Sequence, residues 1–297
     1  MSLNLAIANA RGVWLVADFR ISDVRVGRLT PREDHWSPKY YMVIGNDGTR
    51  TAITYVGAAE ATGIEPDQGL PATGFYGKGE FKPGRRKRVP VSQWLGWILY
   101  GKVGSLEEIL ETIALEAPKT PELRNVHHSF NGGSVKSNGE VSTFVIHNFD
   151  VRDGDSKATT RWLNRRPLRK FHTFQAVIGQ THSGWAGAWG SWVDARRPED
   201  EALLEQLVEN FPRDPKDYLR ALAALNRRVG EREQTVSAAC QGIFIDPRSD
   251  SPGFISEQFP NGQPVPSDWA EGAVRANLRG IDITQLTEEM FRVPGPS

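Results

Sequence analysis

Apolar and polar positions alternate from the start of the chain. Leu3-Asn4-Leu5-Ala6-Ile7-Ala8 is followed by turn residues at Asn9-Ala10-Arg11-Gly12. A second apolar run, Val13-Trp14-Leu15-Val16-Ala17, then stops at the charged Asp18 and Arg20. A period of two with a short polar break predicts a β-hairpin whose first strand begins at the head of the chain. Residues 24–38 are polar and irregular and predict no element. Residues 39–44 read as a third strand, with turn chemistry at Asn46-Asp47-Gly48. Residues 51–56, rich in β-branched side chains, read as a fourth. The small residues Gly57-Ala58-Ala59-Glu60-Ala61 then predict a strand-to-helix turn.

Further along, residues 66–90 are rich in Gly and Pro, carry the basic cluster Arg85-Arg86-Lys87-Arg88, and read as a loop. A helix runs from Val91 toward Tyr100. Ser105 and Glu108 form a capping-box pattern ahead of Ile109, Leu110 and Ile113, which predicts a second. Strands are expected at residues 126–130, 141–149 and 173–178, with a polar, basic loop over 150–170. Trp185, Trp189 and Trp192 recur at helical spacing. Leu203, Leu204, Leu207 and Val208 predict a helix over 198–210, and Leu219, Leu222 and Leu225 one over 218–229. Residues 240–245 form a last core strand. The tail from Pro247 is rich in Pro, Gly, Ser and Asp, with a short helix expected over 268–278. No internal repeat is present.

Strand pairs adjoin without helices between them, so the sheets are expected to be mostly antiparallel. Helices that arrive in pairs are expected as outer layers over two packed sheets. The fold class is therefore α+β. Residues 1–246 form one expected unit, with insertions at 66–90 and 150–170. Residues 247–297 form an extension that is part of that unit or packed on it.

Composition narrows the function classes. The 297 residues do not decide between one domain and two, but 39 % apolar residues are enough for a sizeable core. Lys and Arg balance Asp and Glu at 36 each, so no global field draws the chain to nucleic acid, to a membrane or to acidic substrates. Cys240 is the one cysteine, which excludes an internal disulfide and a cysteine zinc site and fits a reducing compartment. No stretch approaches the ~20 apolar residues of a membrane span. No signal peptide is read, and the expected location is the cytoplasm. His127, His128, His147, His172 and His182 lack a carboxylate at ligand spacing and read as structural, so neither a metal nor a cofactor is expected.

Ser2 stands directly behind Met1. If Met1 is removed, one residue holds both a hydroxyl nucleophile and a free amine as its base. The second strand ends in Val16-Ala17-Asp18-Phe19-Arg20, and Ser2 lies sixteen residues before Asp18. Lys39 heads the next strand, and Gly57 with small residues after it ends the one that follows. In these features the chain resembles the proteasome-type N-terminal-nucleophile (Ntn) hydrolases, as a divergent bacterial-type member. Val236-Ser237-Ala238-Ala239-Cys240 before the last core strand resembles the family too.

The resemblance implies a four-layer αββα sandwich, an amide-bond hydrolase acting on a peptide or other amide substrate, and a homo-oligomer, with stacked rings as the family habit. It implies catalytic roles for four residues. Ser2 is the nucleophile. Lys39 depresses the pKa of the Ser2 amine, Asp18 pairs with Lys39, and the Gly57 N–H faces the oxyanion. The sequence departs from the family pattern at Gln180, and at Gln234, which stands where the pattern has an Asp. Two rivals follow. One is a catalytically inactive protein of the same fold with a structural or interaction role. The other is a nucleic-acid binder working through the two basic loops.

Overall fold

The computed structural model describes residues 3–9, 11–25, 28–36, 39–46, 49–56, 60–65, 85–123, 144–152, 155–163, 171–177, 185–190, 197–209, 214–246, 254–260, 276–278 and 281–282. The first strands are β1 (Leu3–Asn9), β2 (Gly12–Asp18), β3 (Arg20–Arg25), β4 (Arg28–Trp36), β5 (Tyr40–Ile44), β6 (Arg50–Tyr55), β7 (Glu60–Ile64) and β8 (Arg86–Pro90). Helices α1 (Val91–Ile98) and α2 (Leu106–Glu116) follow. Strands return at β9 (Phe144–Arg152), β10 (Asp155–Leu163), β11 (Phe171–Val177) and β12 (Trp185–Gly190). Helices α3 (Pro198–Glu209) and α4 (Pro215–Gly230) precede β13 (Cys240–Ile245), β14 (Phe254–Phe259), β15 (Ala276–Leu278) and β16 (Ile281–Asp282).

Two sheets carry the structure. One has the order β12-β1-β2-β13-β14, the other β11-β10-β9-β6-β5-β15-β16, and two small ribbons pair β3 with β4 and β7 with β8. Every described strand pair is antiparallel except β15 beside β5. Among the described residues the protein is thus a mixed α/β structure of mostly antiparallel sheets with few helices. No described helix is long and apolar enough to cross a membrane.

Local chemistry fixes the ends of these elements. In the first hairpin Asn9 Oδ1 accepts from the Arg11 N–H at 2.8 Å, an Asx turn, and Gly12 takes a φ of +147° that a side chain would strain. At the head of α2 the Ser105 hydroxyl accepts from the Glu108 N–H, while the Glu108 carboxylate accepts from the Ser105 N–H at 2.7 Å. That is the capping box that the sequence predicted. Asp214 caps α4 with Pro215 at its first position.

The two-residue period sorts the core. Leu3, Leu5, Ile7, Trp14 and Val16 of β1 and β2 form one buried cluster with Leu219, Leu222 and Leu225 of α4 and Leu204 of α3. The alternate positions, Ala6, Ala8, Val13, Leu15 and Ala17, form another with Tyr40, Met42 and Ala52 of the second sheet. The remaining parity of β5 and β6, namely Tyr41, Val43, Ile53 and Tyr55, packs with Trp94 and Leu95 of α1 and Ile109, Leu110 and Ile113 of α2. Each strand of this centre is buried on both faces.

Several expected elements are different. Residues 24–38 fall largely in the β3–β4 ribbon, 86–90 form β8, and 155–163 form β10. Polar and charged side chains hid these strands, because strands are paired through backbone hydrogen bonds that leave no mark on the side-chain pattern. Glu60–Ile64 is a strand where the small residues suggested a turn into a helix. Trp185 and Trp189 belong to a strand beside β1, so their spacing of four is an even interval on a pleat and not a helical repeat. Ala276–Leu278, expected at the end of a helix, is a strand. The expected strand over 126–130 lies outside the described residues, as do Trp192, Gln180, His127, His128, His182 and most of the 66–90 segment.

Candidate active site

Asp18 and Lys39, two of the four residues singled out by sequence, are brought together. Asp18 closes β2, and Lys39 stands one position before β5. The Lys39 Nζ donates to Asp18 Oδ1 at 2.8 Å, and both side chains are fully buried. Ser2 and Gly57 lie outside the described residues, immediately before Leu3 and after Val56 in the chain.

Asp18 is the centre of this arrangement. Its Oδ1 also accepts the Leu3 backbone N–H at 2.7 Å. Its Oδ2 accepts the N–H of Arg20 at 3.0 Å and that of Ser237 at 3.2 Å. A carboxylate offers about four lone-pair sites, so these four donors fill it. Strands β2 and β13 supply this geometry, with Asp18 directly opposite Cys240 in their register. Arg20 is anchored separately, its guanidinium donating to the Gln234 carbonyl at 2.6 Å.

Burial lowers the Lys39 pKa below its usual 10.5. The Asp18 charge and hydrogen bond oppose that shift, and the Arg20 guanidinium adds to it. Among the described residues Asp18 is the acceptor that the Lys39 ammonium uses. Cys240 is buried in β13, and burial, with the Asp18 charge beside it, pushes its thiol far above the ordinary range. It is a strand residue of the core and not a thiolate nucleophile.

Asn4 is a residue that the sequence reading left out. It is buried in β1, and its Nδ2 donates across to the Tyr55 carbonyl of β6 at 3.2 Å. The Tyr55 N–H in turn donates to the Lys39 carbonyl at 3.3 Å. The Asn4 Oδ1 has no hydrogen-bond partner among the described residues. An amide in the middle of an apolar strand was the available signal. Together these contacts hold the head of β1, the end of β2, the start of β5 and the end of β6 around one buried ion pair. Such a site keeps a positive charge in a low dielectric close to the first residues of the chain.

No protein-family model matches the chain. No curated protein matches it either. Among solved structures it is similar to an Anbu (Gly-1) mutant from Hyphomicrobium sp. strain MC1, at 9 % identity over 87 % of this chain and 86 % of that one, with a TM-score of 0.47. It is similar to Anbu from Pseudomonas aeruginosa, a complex described as a helical assembly, at 14 % identity over 99 % and 98 % with a TM-score of 0.46. It is also similar to Anbu (ancestral beta-subunit) from Yersinia bercovieri, at 10 % identity over 99 % and 98 % with a TM-score of 0.44.

Membership of the proteasome-type Ntn hydrolases, as a divergent bacterial-type member, is therefore corrected. At identities of 9–14 % and TM-scores of 0.44–0.47, what the comparisons support is a distant likeness to Anbu proteins. The motifs behind the resemblance are short and concentrated before residue 61. Two of their four key positions, Ser2 and Gly57, are not described.

Proposed function

We propose that the chain hydrolyses a peptide or other amide bond, with Ser2 as an N-terminal nucleophile once Met1 is removed. The observation that carries this reading is the Asp18 carboxylate, which bonds the Leu3 amide and the buried Lys39 ammonium through the same oxygen. The amide of residue 3 belongs to the peptide link that joins it to Ser2, and consecutive Cα atoms are about 3.8 Å apart. In sequence Ser2 shares the parity of Asn4, Ala6 and Ala8, and Ala6 and Ala8 pack toward the second sheet.

In this reading a free Ser2 amine, with an unperturbed pKa of about 7.7–8.0, takes the hydroxyl proton as Oγ attacks the substrate carbonyl. The neighbouring Lys39 charge lowers the amine's pKa, and Asp18 holds Lys39 in place. The Gly57 N–H stabilises the oxyanion. Collapse of the tetrahedral species expels the amine leaving group, protonated by the Ser2 ammonium, and leaves an ester on Ser2. Water, deprotonated by the same amine, then releases the acid. Three buried clusters, one between the sheets and one under each helix pair, support the further proposal of a four-layer αββα arrangement.

Two measurements test the activity. Intact mass of the purified protein is expected to lack Met1, since a retained Met1 makes the amine an amide and removes the base. Ser2→Ala is then expected to abolish turnover of amide and peptide substrates. Turnover that survives the substitution overturns Ser2 as nucleophile. Protein without Met1 that cleaves none of a broad amide panel supports the non-catalytic reading instead.

A further inference from the structure

The segment that brings the Ser237 N–H to Asp18 has no regular structure of its own. It follows α4 and enters β13. Its backbone polar groups must therefore find partners elsewhere. Two carbonyls find the same one. Asn226 of α4, fully buried, donates through Nδ2 to the Ser237 carbonyl at 2.8 Å and to the Ala238 carbonyl at 3.3 Å. Its Oδ1 has no hydrogen-bond partner among the described residues, so the amide serves this segment through its donor end alone.

Two other contacts fix the segment. The Ser237 hydroxyl accepts the Ala239 N–H at 3.0 Å, which closes the turn. Gly230, at the end of α4, lies against it so closely that an added Cβ would stand 2.7 Å from the Ala238 nitrogen and 2.9 Å from the Ser237 carbonyl carbon. The helix therefore grips the segment at two points one turn apart. From there a continuous chain of hydrogen bonds runs through Ser237 to Asp18 Oδ2, and from Asp18 Oδ1 to Lys39.

We propose that Asn226 is a positioning residue for the Asp18–Lys39 pair, acting through the Ser237 amide. The inference rests on the reading of that pair as the support of the nucleophile. The Ser237 N–H neutralises part of the carboxylate charge on Oδ2. If the segment shifts and that donor is lost, more of the charge is answered by the Lys39 ammonium, which is then held more tightly. Among the described residues, the charged and titratable groups around Lys39 are Asp18 on β2, Arg20 on β3 and, opposite Asp18, the Cys240 thiol on β13. Arg20 is held by the Gln234 carbonyl, on the far side of the gripped turn.

Two uncharged substitutions test this without adding a field of their own. Asn226→Leu removes the donor, and Gly230→Ala pushes the same segment off the helix while leaving Asn226 intact. The direct readout is the titration of Lys39 in protein with carbon-13-labelled lysines, assigned with Lys39→Arg. The expected result is a Lys39 midpoint raised by several tenths of a pH unit in each folded variant, with turnover reduced and KM little changed. A midpoint that stays at the wild-type value while thermal stability falls would show a merely structural clamp and overturn the proposal. If Asn226→Leu does not fold, Gly230→Ala alone decides in the same two ways. Absence of any amide turnover in the wild-type protein would sink the hydrolase reading, yet the Lys39 titration would still decide the role of Asn226.

Discussion

At the scale of single residues, Asp18 and Lys39 show how a buried ion pair is made tolerable. Removing two charges from water costs several kcal/mol per ion, and their attraction offsets that only when the remaining polar atoms are satisfied. Asp18 meets the condition with three backbone N–H groups besides Lys39. Replacing one partner leaves the other charge buried and alone. Asp18→Asn, which strands the Lys39 ammonium, is expected to cost about 3–5 kcal/mol, Lys39→Met less because burial already disfavours that ammonium, and the double variant less than the sum of the two. Urea unfolding measures this, and additive losses would mean that the pair is not coupled. The pH dependence has a definite sign. Burial lowers the Lys39 pKa below 10.5, so the fold disfavours the ammonium. Below the folded midpoint both states carry the proton and the penalty is complete. As pH rises from that midpoint to 10.5 the folded chain releases its proton first, and the penalty fades. The stability of the native protein relative to Lys39→Met is therefore expected to rise with pH across that window. A constant difference would contradict the shift.

At the scale of elements, the first hairpin was legible because its centre is buried on both faces. All seven residues of β1 and all seven of β2 are inside, so apolar runs and turn residues were unambiguous. The same held for β13, α2 and α4, where a largely apolar run, a capping box and a leucine stripe each had a single reading. Asp18 and Lys39 were legible for a related reason, since charges that interrupt apolar strands mark places where those strands end together. Asn4 was not, because a single amide in a strand gives no hint of which carbonyl across the core it meets. Strands β3, β4, β8 and β10 were hidden by charge, since ladder hydrogen bonds leave no mark on side-chain pattern. Gly12 is where the hairpin depends on one residue. A Cβ there would strike the Ile245 carbonyl and the Phe244 ring, and the φ of +147° is strained for any side chain. Gly12→Ala is expected to lose about 1–3 kcal/mol to backbone strain alone, with the overlap adding to it. A thermal midpoint equal to that of the wild type would show that the turn can relax.

At the scale of the whole molecule, the last fifty residues matter to both sheets. Strand β14 pairs with β13 along its full length, from Cys240 opposite Phe259 to Ile245 opposite Phe254. Strand β15 lies parallel to β5, with Ala276 opposite Met42 and Leu278 opposite Ile44. Phe259 also packs against the cluster under α3 and α4 and lies close to Gly242. A chain cut after Asp246 would therefore leave β13 and β5 as open edges, each a row of unpaired N–H and C=O groups on an apolar strand. Neither edge is guarded, for β13 is Cys240-Gln241-Gly242-Ile243-Phe244-Ile245 and β5 is Tyr40-Tyr41-Met42-Val43-Ile44, without a lysine or a proline in either. Strand β5 also follows directly on Lys39, so a slip at that edge would disturb the buried pair as well as the core. The truncated chain is expected to aggregate, and any soluble fraction is expected to lose the cooperative unfolding of the full chain. Size-exclusion chromatography and a thermal melt of the two forms side by side would show it. A monomeric fragment of residues 1–246 that melts like the full chain would mean that the tail packs on a finished unit and does not complete it.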